Sequence, residues 1–303
     1  MNASIFDTFI TANDSQRLDV YGIHLYAEGA GSIEHRFRSN ERVHLFSGSK
    51  AFTSMAVGIA ADEGRLALTD KIIAFFPQYR DIAAEGADKI MVKDLLQMRV
   101  GHAQPLFTTF EESHERTMDW AELFFRTPMA HPAGDSYLYD NGSSYMLSRI
   151  VEAVSGQTLR DFLMPRLFTP LDIFNPQWHT CPHGHSLGAI GLYLTTEEFS
   201  RLGILMLNQG ILNGRQLVSK DYLRLASSDL VTVQGFEDAE NRQGYGYQLW
   251  RCTISNSYRA DGKYGQYSIA LPDYRAVVTV TAHNEHNAND ILRAIWREIL
   301  PRL

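Results

Sequence analysis

The two ends of this 303-residue chain read as β-structure and its middle as helix, and that distribution restricts the possible architectures more than any other feature. Val20-Tyr-Gly-Ile-His-Leu-Tyr26 reads as a strand, the glycines between Gly29 and Gly31 as its turn, and Ile33–Phe37 as the returning strand. After Gly244 the segments Tyr245–Cys252, Tyr264–Leu271 and Arg275–Ala282 are rich in β-branched and aromatic residues, with Pro272-Asp273 as a turn. Between them lie segments of helical periodicity: Val92–Met98, Trp120–Phe125, Ser144–Val154, Leu159–Leu167 and Thr196–Asn208. A short helix carrying Ile5, Phe6, Phe9 and Ile10 opens the chain, and an amphipathic helix over Asn289–Leu300 closes it. The expectation is an α+β fold: an antiparallel sheet built from both termini and flanked by helices, with a helical lobe inserted. The sheet lobe would take residues 1–65 and 228–303, the helical lobe 66–227, and the active site the cleft between them.

Composition removes several function classes. The chain has 35 acidic against 28 basic residues and a net charge of −7, which argues against nucleic acid as a partner. Two cysteines, Cys181 and Cys252, exclude a disulfide scaffold and fit a reducing compartment. No apolar run approaches the roughly 20 residues of a membrane span. The N-terminal stretch has no basic residue before Arg17 and no apolar core of a signal peptide, so the expectation is a cytoplasmic protein.

Chemistry concentrates in three short stretches. In Leu45-Phe-Ser-Gly-Ser-Lys50, Ser47 and Lys50 form Ser-x-x-Lys at the start of a helix that carries Phe52, Met55, Ala56, Ile59 and Ala60 on one side. A residue three positions on shares a helix face, so Lys50 can reach the Ser47 oxygen, and a hydroxyl becomes a nucleophile only when a base takes its proton. For that, Lys50 must be largely neutral near pH 7, which requires burial or neighbouring cations. The second stretch, Tyr139-Asp140-Asn141, precedes a helix; a phenol can carry a proton and an asparagine amide can hold a carbonyl. The third, Ala260-Asp-Gly-Lys-Tyr-Gly-Gln266, leads into the strand Tyr267–Leu271. It reads either as a plain hairpin turn or as a strand edge offering a backbone N–H to an oxyanion.

Taken in order, these stretches resemble the serine β-lactamase and penicillin-recognising hydrolase superfamily. The branch they are most similar to holds class C β-lactamases, DD-peptidases, family VIII carboxylesterases and 6-aminohexanoate-dimer hydrolases. Phe46–Gly58 resembles the family's nucleophile helix, Asp62-Glu-Gly-Arg-Leu66 with Asp70-Lys71 and Phe75-Phe-Pro77 its continuation, and Val92–Met98 the next helix. His131-Pro-Ala-Gly134, Tyr139-Asp-Asn141 and Ile150–Gly156 look like the second-motif region, and Pro170-Leu-Asp-Ile173 and Tyr245–Trp250 fit as well. The resemblance implies a β-lactamase/transpeptidase-like fold and an acyl-enzyme mechanism without a cofactor. Ser47 would attack, Lys50 and Tyr139 would share proton transfer, and Asn141, Gly262 and Tyr264 would contact the substrate. The backbone N–H groups of Ser47 and Lys263 would form the oxyanion hole, and water would deacylate the enzyme.

One departure bears on the substrate. β-Lactamases and DD-peptidases carry Lys-Thr-Gly or His-x-Gly in the third motif, and its cation helps bind a substrate carboxylate. With Gly262 as the motif glycine, the first position is Ala260; the alternative register, Lys263-Tyr264-Gly265, restores a lysine but moves the oxyanion donor. The first register favours a small ester or simple amide over a β-lactam or a D-amino-acid carboxypeptidase substrate.

Two further patterns compete. Gly184-His-Ser-Leu-Gly188 matches the Gly-x-Ser-x-Gly elbow of α/β-hydrolases, with Ser186 as nucleophile and His283 or His286 as partner, but no apolar strand precedes it. His179, Cys181, His183 and His185 alternate, so an extended segment would point all four one way and suit zinc, although nothing nearby completes a site and no metal is expected. A non-catalytic binding or sensor protein of the same fold is the remaining alternative; the retention of Ser47, Lys50 and Tyr139 argues against it.

Overall fold

The computed structural model describes residues 2–107 and 119–303. Its strands are β1 (Val20–Ala27), β2 (Gly31–Arg36), β3 (Val43–His44), β4 (Gln177–Trp178), β5 (Leu192–Leu194), β6 (Ile211–Leu212), β7 (Arg215–Gln216), β8 (Trp250–Arg251), β9 (Tyr258–Gly262), β10 (Gln266–Leu271) and β11 (Ala276–Ala282). The main sheet is antiparallel in the order β2-β1-β11-β10-β9-β8, so the N-terminal hairpin adds directly to the C-terminal strands. The seam between the two ends is the β1–β11 pairing, from Val20↔Ala282 to Ala27↔Ala276. The ends of the chain also touch: the Arg302 guanidinium donates to the Ser4 carbonyl at 3.2 Å.

Both faces of this sheet are covered, which is why β10 and β11 are buried at every position instead of alternating. Ile23, Leu25, Tyr267, Ile269, Leu271, Val278 and Val280 form one apolar face. It packs against Phe6, against Phe9 of helix α1 (Asp7–Gln16), and against Ile291, Leu292, Ile295 and Ile299 at the C-terminus. A second helix, α2 (Ser49–Asp62), is buried from Ser49 to Ala60. It is buried all round because it lies between β9 on one side and two helices from the middle of the chain on the other.

Helices α3 (Val92–Leu96), α4 (Trp120–Arg126), α5 (Asn141–Ser155) and α6 (Leu159–Leu163) follow in the chain. Of these, α5 and α6 pack against α2. Helix α7 (Thr196–Leu207) falls within the 66–227 span yet packs on the second face of the sheet, across β11, β10 and β1. There the Thr196 and Thr281 hydroxyls are hydrogen-bonded at 2.6 Å. The chain then forms α8 (Lys220–Ser228) and ends with α9 (Asn289–Ala294).

Several elements differ from the sequence expectation. The strand expected over Tyr245–Cys252 is extended only at Trp250–Arg251; before it, the Gly246 N–H donates to the Leu249 carbonyl and Gln248 has φ 62°, so the chain folds back on itself. Where the sequence allows a strand edge or a turn at Ala260–Gln266, a strand runs over Tyr258–Gly262; its start is hidden from the apolar pattern by buried Arg259 and half-buried Asp261. The segments Leu159–Leu167 and Asn289–Leu300 are not single α-helices: both relax into π-turns, at Met164–Phe168 and Ile295–Ile299.

Candidate active site

Ser47 sits in a one-turn 3-10 segment, Phe46–Gly48, that runs straight into α2. The Leu45 N–H is tied to the Leu192 carbonyl at 2.9 Å, and Phe46 takes a left-handed conformation, φ 48°. A left-handed non-glycine residue costs about 1 kcal/mol or more, and persists only where its surroundings enforce it. Here the Phe46 ring is held between His44 (4.1 Å) and Tyr264 (5.1 Å). The abrupt turn leaves Ser47 half-buried, while Lys50, one helical turn on, is 1% exposed.

The Lys50 nitrogen reaches three acceptors: Ser47 Oγ at 3.1 Å, Asn141 Oδ1 at 2.6 Å and the Ala189 carbonyl at 3.2 Å. Burial pushes its pKa down to about 7, with the Asp140 carboxylate opposing the shift. The geometry assigns a role to each position around the amine. A neutral lysine has two N–H bonds and one lone pair. Two of the three partners are carbonyl oxygens that can only accept, so they take the two N–H bonds, and the lone pair is left facing the one partner that can donate, the Ser47 hydroxyl. The Asn141 amide cannot turn round, because its Nδ2 donates to the Phe107 carbonyl at 2.6 Å.

Burial raises the pKa of the Tyr139 phenol above its usual value, and the neighbouring Ser47 hydroxyl opposes the rise. The Tyr139 ring lies 5.0 Å from the Lys50 nitrogen and packs on Trp250 (5.7 Å) and Tyr245 (6.0 Å). Trp250 in turn meets Phe236, which is 38% exposed, at 5.5 Å. An aromatic wall therefore runs outward from the Ser47 hydroxyl to solvent.

In the third motif, the segment Ala260–Gly262 lies beyond the end of β8, which pairs only with Tyr258 and Arg259, so this part of β9 faces the Leu45–Gly48 turn. Gly262 is pressed flat against that turn: a Cβ there would fall on the Leu45 carbonyl oxygen and 3.0 Å from the Gly48 nitrogen. Gly265 points elsewhere, toward Ile291 on the far face of the sheet. The three residues from Lys263 to Gly265 form the hairpin turn into β10, so the turn reading and the strand-edge reading describe adjacent halves of one motif. Tyr264, φ 68°, stacks on His283 at 4.4 Å. Ala260 is 1% exposed in the apolar core, and Arg259 is spent on Asp261 (2.8 Å) and on the Arg251 and Glu240 carbonyls.

The competing motifs dissolve into packing. Ser186 is 1% exposed and precedes no helix. Its match arises because Gly188, φ 68°, lets the chain pass across α5, where a Cβ would sit 2.6 Å from the Ser144 carbonyl oxygen. The histidine segment is not extended: the Cys181 N–H donates to the His185 carbonyl across a turn. Its side chains diverge, His185 to Glu152 (2.9 Å), Cys181 to the Tyr145 hydroxyl (3.5 Å) and His179 onto Tyr193 (5.1 Å). Among the described residues no group of three or more metal-ligating side chains converges. Sequence reasoning missed the Ala189 and Phe107 carbonyls, which a motif cannot display because backbone oxygens have no identity in sequence.

A family model described as Beta-lactamase matches residues 10–300. A curated relative, 6-aminohexanoate-dimer hydrolase of Paenarthrobacter ureafaciens, is 25% identical over 234 residues, covering 72% of this chain and 59% of that protein. The chain thus spans about three fifths of that relative's length. Among solved structures, the octameric penicillin-binding protein homologue from Pyrococcus abyssi superposes with a TM-score of 0.74 at 16% identity, covering 100% of this chain and 78% of the other. The D-amino acid amidase from Ochrobactrum anthropi SV3 superposes with 0.73 at 14% identity, covering 99% and 97%. No helix among the described residues is long and apolar enough to cross a membrane.

Proposed function

The chain belongs to the Beta-lactamase family, a hydrolase family, and from that membership we propose that it is a serine hydrolase that opens small esters or amides through an acyl-enzyme. The observation that carries this reading is the Lys50 amine, buried, shifted to a pKa of about 7 and aimed at Ser47 Oγ from 3.1 Å. In the proposed reaction Ser47 Oγ attacks the substrate carbonyl carbon while its proton passes to the Lys50 nitrogen. The oxyanion forms beside the Ser47 and Lys263 backbone N–H groups, at the positive end of α2. Collapse expels the leaving group, which takes a proton through Tyr139, and leaves an acyl ester on Ser47. Water then attacks that ester with the same base. Asn141 holds the Lys50 amine, and its second amide hydrogen meets the substrate carbonyl.

The absence of a cation at position 260, where Ala260 is buried in the core, favours uncharged esters and amides over substrates recognised by a carboxylate. The names of two relatives, a 6-aminohexanoate-dimer hydrolase and a D-amino acid amidase, support an amide as the bond opened. Treatment with a fluorophosphonate followed by peptide mass spectrometry is expected to place the adduct on Ser47. An adduct on Ser186, or none, overturns the reading. Turnover of short-chain p-nitrophenyl esters, small amide oligomers and a chromogenic cephalosporin then ranks the substrates; rapid cephalosporin opening beside negligible ester turnover reverses the preference.

A further inference from the structure

Between Tyr139 and Asn141 lies a side chain to which neither the motif nor the mechanism above gives a part. Asp140 is 4% exposed, and its carboxylate accepts from four donors. Oδ1 takes the Leu106 N–H (2.7 Å) and the Gly142 N–H (2.9 Å); Oδ2 takes the Ser143 N–H (2.7 Å) and the Ser143 hydroxyl (2.9 Å). It therefore caps α5 and pins the 106–107 strand of chain against that helix end. The pinned chain is the one whose Phe107 carbonyl fixes the Asn141 amide.

We propose that Asp140 is a positioning residue of the reaction: its carboxylate builds the turn that presents Tyr139 and Asn141 to Ser47 and Lys50, and, one residue from the Asn141 amide that holds the Lys50 amine, its charge sets the pH at which Ser47 reacts. The proposal rests on the acyl-enzyme reading. A neutral cap, such as serine or asparagine, would serve a helix terminus as well, so a capping role does not require the charge. The charge matters because Lys50 is sunk in a region with little else to compensate it. Of the titratable groups around it, Tyr139 on the same turn stays neutral, its pKa raised by burial. His44 and His179 on the β3–β5 side are pushed toward their neutral forms by burial. On β9, Arg259 and Asp261 neutralise each other at 2.8 Å. Burial favours the neutral amine and Asp140 pulls the other way; burial also raises the pKa of the Asp140 carboxyl, and its four hydrogen bonds work against that rise.

The test follows the rate at which a fluorophosphonate labels Ser47 as a function of pH, which needs no natural substrate. In the parent protein the rate is expected to rise with pH around a midpoint near 7. In Asp140→Asn and Asp140→Ser the midpoint moves down by about one pH unit. In Asp140→Glu, which keeps the charge, it stays near 7 while the rate falls. Melting by circular dichroism verifies that each variant is folded, and the serine variant, which preserves the cap, stands in should the asparagine variant not fold. A midpoint that stays in place in the folded neutral variants overturns the proposal and leaves the acyl-enzyme reading intact. Failure of the parent protein to label at Ser47 overturns both.

Discussion

The proposed role of Lys50 as base rests on a side chain, ordinarily charged, that has three hydrogen-bond partners and almost no water. Lys50→Ala is expected to lower acylation of Ser47 by about 100-fold or more with the fold retained, the usual loss on removing a general base; stopped-flow or timed labelling checks this. Unaltered labelling would remove Lys50 from the mechanism. The neutral amine becomes more abundant as pH rises, so activity should climb through an acid limb centred near pH 7. The same burial affects stability. With the folded pKa held near 7, below the ordinary 10.5, the folded state binds fewer protons than the unfolded chain between those values. Against Lys50→Met, the parent protein should therefore gain stability as pH rises from about 7 to 10.5, measured by urea unfolding; a pH-independent difference would contradict the burial of a titrating amine.

The contact between β9 and the turn that precedes α2 is what brings the third motif to the first, and it depends on a missing side chain. Gly262→Ala has no room beside the Leu45 carbonyl. It should displace the turn that carries Ser47, at about 1–3 kcal/mol for forced overpacking, and cut Ser47 labelling while the variant still melts cooperatively. Equal labelling in a folded variant would show that the turn yields. This is also where sequence reasoning reached its limit. The contact between Ser47 and Lys50 was legible because two residues one helical turn apart are a local relation, and the helices α3, α4 and α7 were legible from their periodicity to within a residue or two. The start of the strand Tyr258–Gly262 was not, because its pattern is broken by an ion pair whose justification is long-range: Arg259, 0% exposed, is satisfied by Asp261, Arg251 and Glu240. The long strand expected over Tyr245–Cys252 failed for a related reason. The Gln248 amide bonds to Ser144 and to the Leu95 and Leu96 carbonyls, pulling the chain into a turn that only the folded neighbours explain.

At the scale of the whole molecule the sheet lobe cannot form from one end of the sequence. The face of β1, β10 and β11 is closed by Phe6 and Phe9 from the beginning of the chain and by Ile291, Leu292, Ile295 and Ile299 from its end. Removing residues 289–303 would expose that face, and the expected result is loss of the cooperative melting transition together with loss of Ser47 labelling. A truncated protein that still melted cooperatively would show that α1 suffices.

The Arg302–Ser4 contact has a practical corollary. Residues as near as Ser4 and Arg302 can be bridged by a brief flexible peptide, and the backbone opened at the surface hairpin between β6 and β7, where Asn213 and Gly214 occupy the bend. Such a rewired order should still place serine and amine a turn apart, since the bonds that locate them, to Asn141, Ala189 and Leu192, all lie within the folded body.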